Sequence, residues 1–344
     1  MFEMEKEIHK AQILHDFKKN FNISDDLLNK FISQIESDNI KSNIKRFFKG
    51  YTIEDYFSYT FSSLPWTKLL HAVNQKQFPT NSKEKYQVSD FFIFFENSKK
   101  EIHPLSIEVK SVTGDKVTLK NIMPIQLKNC LQYSNILNIP FLYAIYWEKF
   151  NLWTLNTYEH FERKTSKYKI SFEDAYKNDL SIILGDITFI INKPIYRKTT
   201  YNTSQTNPEK INHAKYGEIL KEEISIDDKE YIEIEIIETA IIDSFIKMEV
   251  INEKKIKENI IEVKEKSKGI YLPKLSKLIV SHIATFNLEL NDEYCELSRR
   301  LIIEFMKKLK IKKSYQIPKI KTENTNKLFK LAFDGTWLMD NYNK

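Results

Sequence analysis

Glycine is scarce in this chain. There are 6 in 344 positions, about 2% where ~7% is ordinary. They stand at Gly50, Gly114, Gly185, Gly217, Gly269 and Gly335, well separated from one another. A Walker A loop, a GxGxxG dinucleotide turn, a kinase glycine loop and a GxSxG nucleophile elbow all need clustered glycines. ATPase, kinase, dehydrogenase and α/β-hydrolase chemistry are therefore disfavoured. Cysteine is rarer still: Cys130 and Cys295 are far apart, which leaves no disulfide framework and no cysteine-ligated zinc site and fits a reducing cytoplasm. The 7 histidines include no HExxH. Met1 is followed by Phe2, Glu3 and Glu5 rather than by a basic segment and an apolar run, so no signal peptide is expected. No apolar stretch approaches the ~18 residues a membrane span requires, and a cytoplasmic protein without a membrane partner is expected.

What is present is ample core material. Hydrophobic residues make up 42%, charged residues 29% and aromatics 13%, with 23 Phe and 18 Tyr, the composition of a globular protein long enough for two domains. The net charge of +6 is compatible with a nucleic-acid partner. It is unevenly spread: residues 201–250 carry 5 Lys against 12 acids, and residues 299–344 carry 12 Lys+Arg against 4 acids.

The first 49 residues read as short amphipathic helices, one capped at Ser24 before Leu27, Leu28, Phe31 and Ile35. Gly50 punctuates. A helix capped by Thr52 is expected to Ser63, and another from Pro65 carrying Leu69, Leu70 and Val73. From Val88 the period changes. Phe91 to Phe95 is a continuous apolar run, a strand buried on both faces. After a turn around Asn97-Ser98, Leu105, Ile107 and Val109 alternate with Ser106, Glu108 and Lys110 as a half-polar strand. A helix over 121–138, strands over 139–147, 150–155 and 187–191, and a short helix over 171–178 complete an α/β core. The polar segment 196–208 reads as a linker. Beyond it helical spacing dominates: Ile256, Ile260 and Val263; Leu275, Leu278 and Ile279; Leu297, Leu301, Phe305 and Leu309. Residues 231–238 fit strand or helix equally.

One constellation carries chemistry. A hairpin turn centred near Lys99 places Asp90 opposite Glu108, with Glu108 and Lys110 on one strand face. Two carboxylates facing each other across neighbouring strands repel, and partial burial raises the cost. A divalent cation between them reverses that sign. Mg²⁺ is hard, prefers oxygen and is commonly held by one or two carboxylates.

This pattern resembles the PD-(D/E)XK nuclease superfamily over residues 50–195. Asp90 and Glu108-Val109-Lys110 match the two strand positions, and Glu54 the acidic position on the first helix. Ser89 replaces the usual proline, and Gln126 lies where the family often carries a glutamine, with Tyr133 further along the same helix. The resemblance implies a restriction-endonuclease-like core, a mixed sheet flanked by helices, with a mainly helical C-terminal domain. Together with the polar segment at 196–208 and the helical spacing on either side of the core, the resemblance divides the chain into an N-terminal helical extension (1–49), a nuclease domain (50–200) and a mainly helical nucleic-acid- or partner-binding domain (201–344). It implies Mg²⁺, or Mn²⁺ in its place, held by Asp90, Glu108, Glu54 and the Val109 carbonyl, with Lys110 beside the attacking water and a 5′-phosphate on the product. The expected activity is a metal-dependent endonuclease acting on DNA, in restriction or antiviral defence. The alternative is a catalytically silent binding module, or a subunit of a recombination or defence complex; a homo-oligomer is compatible with both. Several residues carry blander readings. Asp55 rivals Glu54, which could instead be an acid near a helix N-terminus. Gln126 could lie on a solvated helix face. His71 and His103 read as surface or satisfied core residues, and Trp147 and Trp153 as core. Arg299, Arg300 and Lys307 to Lys313 are a solvated face or, more sharply, a phosphate-binding one.

Overall fold

The computed structural model describes residues 2–333 except 22, 75, 165, 205–211, 316 and 320–321. Four helices lead: α1 (Phe2–Asn20), α2 (Asp25–Ser33), α3 (Asp38–Ser42) and α4 (Ile44–Ser62). Then come β1 (Thr67–Ala72), β2 (Phe91–Glu96), β3 (Ile102–Val112), β4 (Thr118–Ile122), α5 (Pro124–Leu137), β5 (Phe141–Trp147), β6 (Leu152–Asn156), β7 (Glu162–Lys164), β8 (Lys167–Ser171), α6 (Phe172–Lys177) and β9 (Thr188–Ile190). The remainder is β10 (Tyr196–Asn202), β11 (Asn212–His213), β12 (Gly217–Ser225), β13 (Ile232–Glu233), α7 (Ile236–Asp243), β14 (Met248–Lys257), β15 (Ile260–Ser267), α8 (Leu275–Thr285), α9 (Asp292–Lys308), β16 (Lys312–Ser314) and α10 (Glu323–Ala332). Among the described residues, no helix is long and apolar enough to cross a membrane.

The central sheet is mixed, in the order β1-β2-β3-β5-β6. β3 and β5 are parallel and joined through α5; the other neighbours are antiparallel. The alternation expected for β3 holds, but both of its faces are covered. Leu105, Ile107 and Val109 enter a large apolar cluster with Phe57 and Phe61 of α4. The opposite face, which carries Ser106, Glu108 and Lys110, leads to Val112 in a second cluster with Leu127 and Cys130 of α5 and with Tyr143 and Trp147 of β5. Trp147 and Trp153 are both core residues.

The large cluster does not stop at the sheet. It continues through Leu275 and Ile279 of α8 and Ile302 and Phe305 of α9 to Phe329 and Phe333. The C-terminal end of α10 also clasps the β2–β3 turn. Asn97 Nδ2 donates to the Leu331 carbonyl at 3.0 Å, and the Ser98 amide to the Ala332 carbonyl at 3.1 Å.

Several local expectations are corrected. Ser24 caps α2 as expected, accepting from the Leu27 amide. Thr52 caps nothing: α4 already starts at Ile44, and Thr52 Oγ1 donates back to the Phe48 carbonyl. Gly50 sits inside α4 with open space around it, a cost of ~1 kcal/mol that a packed helix absorbs. Leu69 and Leu70 are on edge strand β1, because pairing with β2 overrides their helical spacing. The C-terminal part is not mainly helical in its first half. Residues 196–267 build an antiparallel sheet in the order β11-β12-β10-β15-β14, with β13 on β12. The first part of the expected linker is its central strand β10, whose Thr and Tyr residues suit a pleated surface; residues 205–208 of it lie outside the described residues. Ile256, Ile260 and Val263 lie on the β14–β15 hairpin, where only Val263 is buried. Residues 231–238 are both strand and helix, divided by a capping box between Glu235 and Glu238.

Candidate active site

The β2–β3 register is the one the turn predicts: Phe91 faces Ile107, and each further pair follows in step to Glu96 and Ile102. Asp90 is therefore the residue opposite Glu108, one place beyond the last β2 pair. Its backbone is fixed from the other side, where its carbonyl accepts the Val73 amide at 2.9 Å. Its side chain turns inward, and Oδ2 accepts the Val109 amide at 2.7 Å. An extended residue directs its N–H and C=O to the same edge, so the Val109 carbonyl lies along the edge that Asp90 occupies.

Glu108 is buried, at 2% exposure. Its Oε1 accepts three donors: Lys110 Nζ at 2.6 Å, Gln87 Nε2 at 3.0 Å and Gln126 Nε2 at 3.3 Å. Its Oε2 is buried with no hydrogen-bond partner. Gln126 therefore belongs to the site rather than to a solvated face. Gln87 was not singled out from sequence, because it lies in a loop with no periodic signal. That loop is tied to α5 through Gln87 N–H to the Asn129 carbonyl at 3.2 Å. Behind the carboxylates the hydroxyls of Ser89, Ser106 and Ser134 form a buried chain from β2 to β3 to α5. A proline at position 89 could not donate or accept there.

The electrostatics are those of crowded carboxylates. Burial and then the Glu108 charge push the Asp90 carboxyl well above its ordinary range; Lys110 and the Val109 amide oppose the rise. Burial and then Glu108 also raise Glu54 to about 7, against the pull of Lys110. Burial alone would lower Lys110, but Glu108 and Asp90 outweigh it and hold the ammonium above its usual value.

Glu54 lies within α4, not near its N-terminus, so a helix-end acid is ruled out. Asp55 is engaged elsewhere, 2.8 Å from Lys19 of α1. Among the described residues no group of three His, Cys, Asp or Glu side chains stands ready to hold a metal. Glu54 thus feels the Glu108 charge and itself raises Asp90 without forming one ligand group with them. The donor set offered to a hard cation is the open oxygen of Asp90, the orphaned Oε2 of Glu108 and the Val109 carbonyl. One oxygen of each carboxylate is engaged by the protein and the other is not, which fits Mg²⁺ completed by water.

The remaining candidates lie apart. Tyr133 stacks over Phe92, centroids 6.4 Å apart. His71 stacks on Phe94, and His103 bonds Asn97 and Glu101 near the turn. Of the basic C-terminal residues, Arg299 pairs with Glu296, Lys308 with Glu238, and Lys312 and Lys313 pair in β16 with β9. Arg300, Lys307 and Lys310 are exposed, and the tail beyond residue 333 lies outside the described residues.

No protein-family model and no curated protein matches the chain. Among solved structures it is similar to Hjc of Archaeoglobus fulgidus, a Holliday junction resolvase from an archaeal hyperthermophile. The identity is 16%, over 40% of this chain and 96% of that one, with a TM-score of 0.30. A likeness of that size assigns no function.

Proposed function

We propose that the chain is a metal-dependent endonuclease of the PD-(D/E)XK type, acting on DNA with Mg²⁺ or Mn²⁺. The observation that carries this reading is the buried Glu108 Oε2 with no hydrogen-bond partner, across from Asp90 on the neighbouring strand. A buried acceptor left without a donor costs ~1–3 kcal/mol, and a bound cation removes that cost. Asp90, Glu108 and the Val109 carbonyl would hold it. When bound, Mg²⁺ would supply positive charge to the scissile phosphate and acidify a water.

The side chains divide the remaining work. Gln87 and Gln126 hold Glu108 Oε1 and so aim Oε2. The Val109 amide does the same for Asp90. Lys110 keeps its proton at neutral pH because its pKa is raised. Beside a bound water it would act as a cationic donor that orients the water and stabilises charge building on the phosphate. Glu54 adds negative potential from α4. A place in restriction or antiviral defence rests on the sequence resemblance alone.

The test is cleavage of plasmid, single-stranded DNA and RNA with Mg²⁺, Mn²⁺ or EDTA. Metal-dependent cutting that is lost in Asp90→Asn is expected. No cutting of any substrate by a protein that still binds the ion would leave the fold as a binding module.

A further inference from the structure

A cavity of about 410 Å³ opens where α4, the tip of the β5–β6 hairpin, α6 and the segment entering α8 meet. Its walls are aromatic, with Tyr56, Phe150, Trp153, Phe172, Tyr176 and Tyr271 among them. Three of the rings form a stack. Phe150 lies on Phe172, centroids 3.8 Å apart and planes 21° apart, and Phe172 lies against Tyr176 at 5.6 Å and 28°. Phe150, at the end of that stack, is 38% exposed.

One donor without an acceptor interrupts this apolar lining. Lys277 of α8 lines the cavity half-buried and has no carboxylate or hydrogen-bond partner among the described residues. Burial holds its pKa below the ordinary lysine value. Lys274, one turn away, is saturated by Asp179, Ser181 and the Trp153 carbonyl. An unpaired ammonium in apolar surroundings is costly, so the cavity is complementary to an anion. The outer face of Phe150 carries the Lys149 ammonium, 5.8 Å from the ring centroid, an exposed side chain that a stacking ring would displace. The size lies within the ordinary range for small ligands, ~300–1,000 Å³.

The cavity also has a defined place relative to the carboxylates. Parallel pairing of Lys110 with Ile145 and of Val112 with Trp147 puts the β5–β6 tip at the same end of the sheet as Glu108 and Asp90. β6 is two strands from β3, roughly 10 Å at ~4.8 Å per strand.

We propose that this cavity binds one unstacked nucleotide, its base on Phe150 and its oxygen acceptors facing Lys277. Base–aromatic stacking is tolerant of sequence, so the pocket grips a strand without reading it. The nucleotide could be part of a single-stranded segment of the substrate, a source that rests on the nuclease reading, or it could be free.

Binding in EDTA separates this inference from cleavage. The probes are a fluorescein-labelled single-stranded oligodeoxynucleotide, followed by anisotropy, and a deoxynucleoside 5′-monophosphate, followed by tryptophan fluorescence. The variants are Phe150→Ala and Lys277→Met; the second removes an unpaired, desolvated charge and does not threaten the fold. If the source is the substrate strand, each variant loses at least about fivefold in oligonucleotide affinity and the monophosphate competes weakly. If the source is free nucleotide, the loss appears in monophosphate binding instead. Wild-type affinity for both probes in both variants, or no binding of either probe by the wild type, overturns the proposal. A protein that shows these losses yet never cuts keeps the pocket and loses the nuclease reading. Metal-dependent cutting with wild-type binding in both variants does the reverse.

Discussion

The Asp90 carboxylate takes the hydrogen bond from the Val109 amide that a strand carbonyl would otherwise take. β2 begins only at Phe91, so the side chain of the residue before it completes the ladder and at the same time brings a carboxyl group to the end of β3. The ladder uses one oxygen of that carboxylate, and the proposed metal chemistry would use the other.

That division makes Asp90→Asn a clean probe. The amide oxygen can still accept from Val109, while the charge is gone. Cleavage should fall by at least about a hundredfold, with the melting temperature unchanged or higher because Glu108 loses a repulsive neighbour. Supercoiled plasmid nicked at the wild-type rate by this variant would remove Asp90 from the chemistry.

Metal should stabilise the wild type and not Glu108→Gln. At ten times Kd the gain is about 1.4 kcal/mol, which for a chain of this length is a rise of roughly 2 °C. Differential scanning fluorimetry with Mg²⁺, Mn²⁺ and Ca²⁺ measures it. Ca²⁺ should shift the curve yet support little cutting, since its looser coordination positions water poorly.

Glu54 predicts a pH dependence in EDTA. Its carboxyl is raised from 4.5 to about 7 in the folded state. Between those values the native protein holds a proton that the unfolded chain has released, so this group's contribution is full at low pH and is lost as pH rises through about 7. Glu54→Gln cannot lose it. The variant's stability relative to wild type should be flat below pH 4.5, climb to pH 7 and level off above, as read from urea melts at pH 4.5, 6 and 8. A constant difference across that range would show that Glu54 is not raised.

The exposed C-terminal cations give a salt test. Arg300 and Lys307 lie on α9 without carboxylate partners among the described residues. If both meet phosphates, reversing them to Glu should weaken DNA binding for every sequence. The log K against log[salt] slope should flatten by about 1.8 on duplex DNA. An unchanged slope would assign binding to the sheet alone.

Lys274→Ala should be costly for a reason unrelated to cleavage. Lys274, Asp179 and Asp186 are all buried, with the lysine paired to Asp179 and 3.7 Å from Asp186. Removing it leaves two acids without a counter-charge, a loss of about 3–5 kcal/mol by urea denaturation.

The carboxylate pair was legible because hairpin pairing is arithmetic: a polar turn between an apolar run and an alternating one fixes which residue faces which. Gln126 was legible only by likeness, and Gln87 not at all, because a loop residue reaches Glu108 through tertiary folding. The β1 and β14–β15 segments misled for one reason. Their apolar residues recur at helical intervals, and only the neighbouring strand, distant in sequence, decides that they are extended. In β10 the polar Thr and Tyr residues looked like a linker, because a strand flanked by two others needs no continuous apolar run when its sheet is partly solvated.

The apolar cluster that runs from Ile53 to Phe333 sets an order of events during synthesis. Every candidate site residue has been made by position 126, yet the helices that close the large cluster, and the clasp on the β2–β3 turn, arrive only as the chain passes residue 333. At ~5–20 residues per second the interval is roughly 10–40 s. During it Asp90 and Glu108 belong to a hairpin without its full cover, so a chain cut short before α10 should emerge without a settled site.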